Sequence, residues 1–293
     1  MNVLVTGATG QLGRALCHAF ADDTVTAVSR EDLDVTSEAG VMDVVSSVRP
    51  DVVVNAAAMT DVDACERDPR SAHRVNALGP WWLARACART GATLVTISTD
   101  HVFGAVRPTV PYGRPRALTE FDPVAPVNAY GCSKAAGEQL VRRTLAAHHV
   151  VRTAWLTGAG STNFVTAILA RARAGEPLRV VDDQWGNPTF VDDLAPAIVE
   201  IARSGRHGTW HRTNRGSCTR HEFARAALEA AGIDVPVEAV TSDEYPTDAR
   251  RPAWSVLDGT HAELCGLRVM PEWRDGLDRF VAAVDIDDRG ARP

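Results

Sequence analysis

Lysine is all but missing from this chain. Of its 31 basic side chains only Lys134 is a lysine, and there are only three tyrosines. No run of about 18 apolar residues occurs, which excludes an expected membrane-spanning helix. The first residues lead straight into the apolar Val3-Leu4-Val5, with no basic region and long apolar stretch of a secretory leader. No Cys-x-x-Cys pair is present among the six cysteines, so they read as reduced, mostly buried thiols of a cytoplasmic protein and not as a disulfide frame or zinc site. Positive charge is not in excess either: the net charge of −6 argues against nucleic acid or an anionic membrane as partner. Internal repeats and low-complexity tracts are lacking as well. What remains is 293 residues of ordinary composition, 45% hydrophobic and 23% charged, enough for one or two domains with a full core.

The lone lysine stands four residues after Tyr130, in Tyr130-Gly131-Cys132-Ser133-Lys134. Residues four apart share a helix face, so a phenol and an ammonium would lie side by side. With one lysine and three tyrosines, accidental placement has a chance of roughly one in a hundred. An ammonium beside a phenol is expected to lower a pKa that starts near ~10, making Tyr130 a usable proton donor near neutral pH.

Valine-rich apolar runs recur at Asn2–Thr6, Thr24–Val28, Asp51–Asn55, Thr93–Ile97 and Val150–Arg152, alternating with helical patterns at Leu12–Phe20, Glu38–Val48, Ser71–Ala88 and Tyr130–His148. Continuously apolar strands separated by helices predict an α/β fold, a doubly wound parallel sheet of Rossmann type with its ligand crevice at the carboxyl ends of the strands. Beyond residue 155 the alternation loosens. Helices are expected over Phe164–Ala174, Asp192–Ala202 and Arg220–Ala231, and strands over Leu178–Val181 and Gly208–His211. The expected organisation is a dinucleotide-binding domain over 1–155, rejoined by 187–204, and a smaller mixed α/β substrate-binding domain from 156–186 and 205–293. The last seven residues, Asp287–Pro293, read as a frayed polar tail.

Directly after the first strand comes Gly7-Ala8-Thr9-Gly10-Gln11-Leu12-Gly13, opening the first helix. Glycines at this spacing allow a tight turn and close approach of a pyrophosphate to a helix amino terminus. At the end of the second strand stand Ser29 and Arg30, with Glu31, Asp32 and Asp34 behind them. A basic residue there favours the 2′-phosphate of NADP and an acidic one the ribose diol of NAD. Arg30 therefore points to NADPH, with NADH as the alternative. Asn55-Ala56-Ala57-Ala58 closes the third strand; its small side chains either leave room for an adenosine or serve close helix–strand packing.

The chain resembles the dTDP-4-dehydrorhamnose reductase family, nucleotide-sugar 4-ketoreductases within the extended short-chain dehydrogenase/reductases. The likeness rests on the glycine turn, Leu33-Asp34-Val35-Thr36, Asn55-Ala56-Ala57-Ala58-Met59-Thr60-Asp61-Val62-Asp63, Ser98-Thr99-Asp100-His101-Val102-Phe103, the Tyr130–Glu138 segment, Arg152-Thr153-Ala154-Trp155, Asp183–Thr189 and Arg251–Asp258, in order over nearly the whole chain. It implies a catalytic trio of Thr99, Tyr130 and Lys134, and places Gly10, Gln11, Leu12, Asp34, Val35, Ala58 and Thr60 at the dinucleotide. Thr99, Asp100, Tyr130 and Trp155 fall at the sugar nucleotide, with Val62 and His101 beside them. The implied reaction is NAD(P)H-dependent reduction of the 4-keto group of a dTDP-4-keto-6-deoxy-L-hexose, as in dTDP-rhamnose biosynthesis.

Three departures qualify the likeness. His101 stands where many members have tyrosine. The segment from Gly104 to Asn128 is long and carries five prolines together with Arg107, Arg114 and Arg116. It reads either as a lid whose arginines meet a substrate diphosphate or as a solvated surface loop. Ala15 replaces a glutamate through which some members bridge a dimer by Mg²⁺, so no metal is expected, and a monomer or a homodimer made by other contacts. Alternatives are a 4-ketoreductase acting on another nucleotide-sugar in natural-product (antibiotic) deoxysugar synthesis, an epimerase or dehydratase on the same fold, and a non-catalytic NADP-binding regulatory subunit.

Overall fold

In the computed structural model the described residues are 1–105, 108–109 and 115–290. Six strands form one parallel sheet: β1 (Asn2–Thr6), β2 (Thr24–Val28), β3 (Val52–Asn55), β4 (Thr93–Thr99), β5 (His148–Thr153) and, after the four short strands given below, β10 (Gly208–His211). Their order across the sheet is β10-β5-β4-β3-β1-β2. The chain leaves β1 to one side for β2 and to the other for β3, so the topological switch point lies between β1 and β3, where such sheets open a ligand crevice.

Both sheet faces are covered, which is why the strands read as unbroken apolar runs. Alternate residues point to opposite faces. Val3, Val5, Val54 and Val151 pack on one side against Leu12 and Leu16 of α1 (Gln11–Ala19) and Leu194 and Ile198 of α8 (Val191–Arg203). Leu4, Val53 and Leu94 pack on the other against α2 (Glu38–Val48), α5 (Gly79–Thr90) and α6 (Ala129–Thr144). Between β3 and α5 run two short helices, α3 (Val62–Arg67) and α4 (Pro69–His73). A second hydrophobic cluster joins α7 (Phe164–Arg173), α9 (Arg220–Ala230) and α11 (Trp273–Gly290) around Phe223, which is fully buried. Short strands β6 (Leu156–Thr157), β7 (Leu178–Val181), β8 (Trp185–Gly186), β9 (Thr189–Phe190), β11 (Cys218–Thr219) and β12 (Val237–Val240) pair two by two around it, and α10 (Thr260–Leu264) lies near β10. Among the described residues no helix is long and apolar enough to cross a membrane.

Several elements differ from their sequence expectation. Gly208–His211 was expected in the smaller substrate-side unit, but as β10 it extends the main sheet in parallel with β5. The cause is Trp210, whose buried ring belongs to the core beside Val151 and Ile201 and donates a hydrogen bond to His149. The single helix expected over Ser71–Ala88 is broken by a π-helical segment at Arg74–Leu78. Pro80 has no N–H to offer the carbonyl of Asn76, and α6 packs so closely there that a Cβ on Gly137 would lie 2.3 Å from that oxygen. The helix expected to reach His148 stops at Thr144, because β5 begins at His148 in register with Leu94. At the other end α11 continues to Gly290, through the first part of the expected polar tail.

One buried ion pair ties these layers together. Glu138 of α6 receives both Nε (2.9 Å) and an Nη (2.7 Å) of Arg152 of β5, and the Ser98 hydroxyl of β4 at 2.6 Å. The Arg152 and Glu138 side chains are each 1% exposed. Burial pushes the Glu138 carboxyl up, but the Arg152 guanidinium bonded to it brings the net shift below the usual carboxylate range. Removing one partner of such a pair strands the other charge in the core. Glu138 also accepts from Arg142 at 2.7 Å, so the charge that can be stranded is that of Arg152. Glu138→Ala is expected to lose about 3–5 kcal/mol of unfolding free energy in urea, whereas Arg171→Ala, which breaks an exposed pair with Glu176, stays within about 1 kcal/mol.

Candidate active site

The carboxyl ends of β1, β3, β4 and β5 open into a cavity of about 590 Å³. On one wall the glycine turn leaves β1: Gly7, with a φ of +67°, lies so close to the next strand end that a Cβ would sit 2.7 Å from the backbone nitrogen of Ala57. Gly10 then caps α1 with no side chain of its own and no acidic residue in the first turn, so the helix presents bare N–H groups and its positive dipole end to the cavity. Ala56, Ala57 and Ala58 line the adjoining wall. Asn76 holds that segment by bonding both backbone groups of Met59 and the Ser133 hydroxyl of α6.

The opposite wall carries the reactive side chains. Thr99 ends β4, and α6 is brought against it by Asn128, whose side chain caps Gly131, and by Gly131 itself, where a Cβ would lie 2.1 Å from the His101 carbonyl oxygen. That contact admits only hydrogen at position 131 and brings the phenol of Tyr130 within hydrogen-bonding reach of the Thr99 hydroxyl. Lys134, 4% exposed, lies one turn on and donates to the Ile97 carbonyl at 2.5 Å. Asp100, 2% exposed, accepts from the hydroxyls of Thr99 (3.0 Å) and Ser255 (2.5 Å). The Asn128 amide oxygen is used in capping, so its nitrogen donates to His101 Nδ1 at 3.1 Å. His101 is thereby held as the Nε2–H tautomer, its pKa lowered by burial, edge-on to Tyr130.

The electrostatics correct one expectation. The Tyr130 phenol is not acidified: burial raises its pKa, and the Thr99 hydrogen bond offsets only part of that rise. Burial also pulls Lys134 down to about 8, against the opposing attraction of Glu138. Two desolvated groups thus each favour their neutral form, and the ammonium is spent on a backbone carbonyl.

Of the residues singled out from sequence, Gly10, Gln11, Leu12, Gly13, Ala57, Ala58, Thr60, Val62, Thr99, Asp100, His101, Tyr130, Lys134 and Trp155 all line this one cavity. Four do not. Gly7 lies beneath it in the turn. Arg30 is exposed at the end of β2, and Ser29 beside it is bound to Asp32. Asp34 is exposed, its carboxyl held below the usual range by the Thr36 N–H, with Arg30 adding attraction. Val35 is buried and belongs to the core under α2 and α5. Of the loop arginines, Arg107 and Arg114 lie outside the described residues, and Arg116 is engaged by Asp122 through two bonds.

Three cavity features had no sequence signal beyond position. Arg220 enters from the first turn of α9, its guanidinium 3.7 Å from the centroid of the Trp155 ring. Trp155 itself has a φ of +45°, a conformation a bulky residue adopts only when its surroundings impose it. Thr153, opposite Thr99 in the sheet, lines the cavity with a buried hydroxyl that has no hydrogen-bond partner. Such an orphan is costly unless a ligand satisfies it.

Comparison with known proteins agrees with this geometry. A family model described as the RmlD substrate binding domain matches residues 1–286. A dTDP-4-dehydrorhamnose reductase of Mycolicibacterium smegmatis is 41% identical, covering 96% of this chain and 85% of that protein. The chain belongs to the dTDP-4-dehydrorhamnose reductase family. A dTDP-4-keto-6-deoxy-D-glucose reductase of Streptomyces niveus is 37% identical over 97% of this chain and 98% of its own. The crystal structure of the Bacillus anthracis dTDP-4-dehydrorhamnose reductase in complex with NADP superposes with a TM-score of 0.90 at 37% identity, covering 96% of this chain and 98% of that one.

Because Lys134 is the only lysine, its titration can be followed without assignment. With carbon-13 in the lysine ε position, the single side-chain signal of the cofactor-free protein is expected to titrate with a midpoint of about 8; a midpoint near ~10.4 would mean the ammonium is not desolvated.

Proposed function

We propose that this protein reduces the 4-keto group of a dTDP-linked 4-keto-6-deoxyhexose with a nicotinamide dinucleotide, NADPH in preference to NADH. The convergence of Thr99, Tyr130 and Lys134 on the cavity that the glycine turn also lines carries this reading. The bare amino terminus of α1 suits the pyrophosphate, and the partnerless Thr153 hydroxyl awaits a polar ligand group in the same cavity. Bound there, the cofactor supplies the hydride. Tyr130 donates a proton to the ketone oxygen, and the Thr99 hydroxyl, turning its proton away from Asp100, hydrogen-bonds that oxygen as it gains negative charge. Lys134 leaves the Ile97 carbonyl to bond the cofactor ribose and bring positive charge beside the phenol. The raised phenol pKa keeps Tyr130 protonated, the state a proton donor to a ketone requires. The cluster of α7, α9 and α11 serves as the substrate-binding part of the molecule, and Trp155, Val62, Asp100 and His101 hold the sugar nucleotide.

The sugar is assigned to the L-series because the curated relatives are mostly named for dehydrorhamnose; the Streptomyces niveus relative favours the D-gluco ketone as the second reading. Consumption of NADPH with dTDP-4-keto-6-deoxyglucose is expected only when a 3,5-epimerase supplies the L-sugar. Turnover without the epimerase would instead support the second reading. Tyr130→Phe should lower kcat by about 10²–10⁴-fold while NADPH binding, read by fluorescence, is retained; turnover unaffected by that change would rule out the proton-donor role.

Preference for NADPH rests on Arg30, which is exposed at the end of β2 and close enough to Asp34 to act on its charge. Arg30→Ala should weaken NADPH binding about tenfold, the worth of a charge-assisted phosphate contact, and leave NADH binding unchanged. An equal effect on both cofactors would remove Arg30 from the discrimination.

A further inference from the structure

Most arginines near the cavity are already committed. Arg14 bonds the carbonyls of Thr9 and Ala159, Arg251 is paired with Asp63, and Arg152 with Glu138. Arg220 differs: among the described residues it makes no hydrogen bond and no ion pair, and its contacts are the faces of Trp155 and, at 5.2 Å, Phe164. With its central carbon over the Trp155 ring and no protein acceptor taking its N–H donors among the described residues, the guanidinium keeps those donors free to bind an anion. The platform is firmly backed. Gly186 packs against the Trp155 ring so tightly that a Cβ there would lie 2.5 Å from it, and Phe223 stacks nearby. Asp100 is the carboxylate whose field acts most strongly on Arg220, yet both its oxygens are taken by the hydroxyls of Thr99 and Ser255.

We propose that Arg220, held over the Trp155 ring, is the cation that receives the diphosphate of the sugar nucleotide and so determines specificity for a nucleoside-diphosphate-linked substrate. This rests on the reading of the cavity as a nucleotide-sugar site. It also gives to α9 the contact that the lid reading of Gly104–Asn128, one of two readings of that segment, gave to one of its arginines. The strained Trp155 backbone then has a function, since it holds the ring beneath a guanidinium whose fork of donors can meet two phosphate oxygens.

The test is binding of dTDP, and of thymidine as the phosphate-free control, to the NADP-loaded protein by calorimetry. The unmodified protein should bind dTDP far more tightly than thymidine. R220Q should weaken dTDP by about tenfold or more, leave thymidine unchanged and leave the Kd for NADP within about twofold, the scatter of a neutral change. R220K, which keeps the charge but not the planar fork, should fall between the two and guards against a folding defect in R220Q. Unchanged dTDP binding in R220Q and R220K overturns the proposal, as does weakening confined to NADP, which would place Arg220 at the cofactor. If the unmodified protein binds UDP or GDP in place of dTDP, the dTDP reading fails, and the same comparison of that nucleotide with its nucleoside decides the role of Arg220. Absence of binding by any nucleoside diphosphate overturns both.

Discussion

The bidentate contact between Glu138 and Arg152 is the constraint on which the active-site geometry hangs. It joins α6 to β5 in the dry interior, with Ser98 of β4 as a third partner. Helical spacing carries this anchor to the cavity face: Tyr130, Lys134 and Glu138 follow one another at intervals of four and share one side of α6. Ser98 and Arg152 each precede a threonine, Thr99 and Thr153, that lines the cavity. Fixing Glu138 therefore fixes the height and rotation of the helix relative to both strand ends. A buried pair is weak evidence for stability as such, and here its use is positional.

Around that anchor the sheet topology does the rest. The switch point between β1 and β3 brings the amino terminus of α1 and the small residues Ala56–Ala58 to one side of a crevice, while the ends of β4 and β5 bring hydroxyls, and α6 the phenol, to the other. A dinucleotide and a ketone can meet only where those two sides face each other. Membership of the dTDP-4-dehydrorhamnose reductase family agrees with that arrangement. Besides hydroxyls and the Asp100 carboxylate, the cavity holds two cations, Lys134 and Arg220; both are desolvated, and Arg220 is drawn down to about 10 by burial. Desolvated cations interact strongly with an incoming anion, because little water remains to screen them.

The behaviour of the phenol shows how local reasoning misleads. Four-residue spacing correctly places Lys134 beside Tyr130 on α6, but spacing carries no information about solvent. Burial raises the phenol and lowers the ammonium, and the Ile97 carbonyl takes the charge that sequence reasoning assigned to the phenol. Trp155 is a parallel case. Its position in Arg152-Thr153-Ala154-Trp155 marks it for the cavity, whereas its left-handed backbone and its guanidinium partner come from β8 and α9, about thirty and sixty-five residues away in sequence.

What the chain specifies locally is legible before folding. Valine-rich runs of strand length separated by helical periodicity determine a covered parallel sheet, because only burial on both faces suits them. The glycine turn determines where an anion can approach the backbone, and one lysine four residues beyond a tyrosine marks the helix that lines the cavity opposite it. The tertiary structure alone decided the placement of β10, where the single ring of Trp210 drew a strand into the main core. It alone decided the break at Arg74–Leu78, set by a proline without an N–H and a helix packed against Asn76. It alone brought Arg220 onto Trp155. Periodicity and turn chemistry are properties of neighbours in sequence, whereas desolvation, stacking and register depend on which distant residues share the same space.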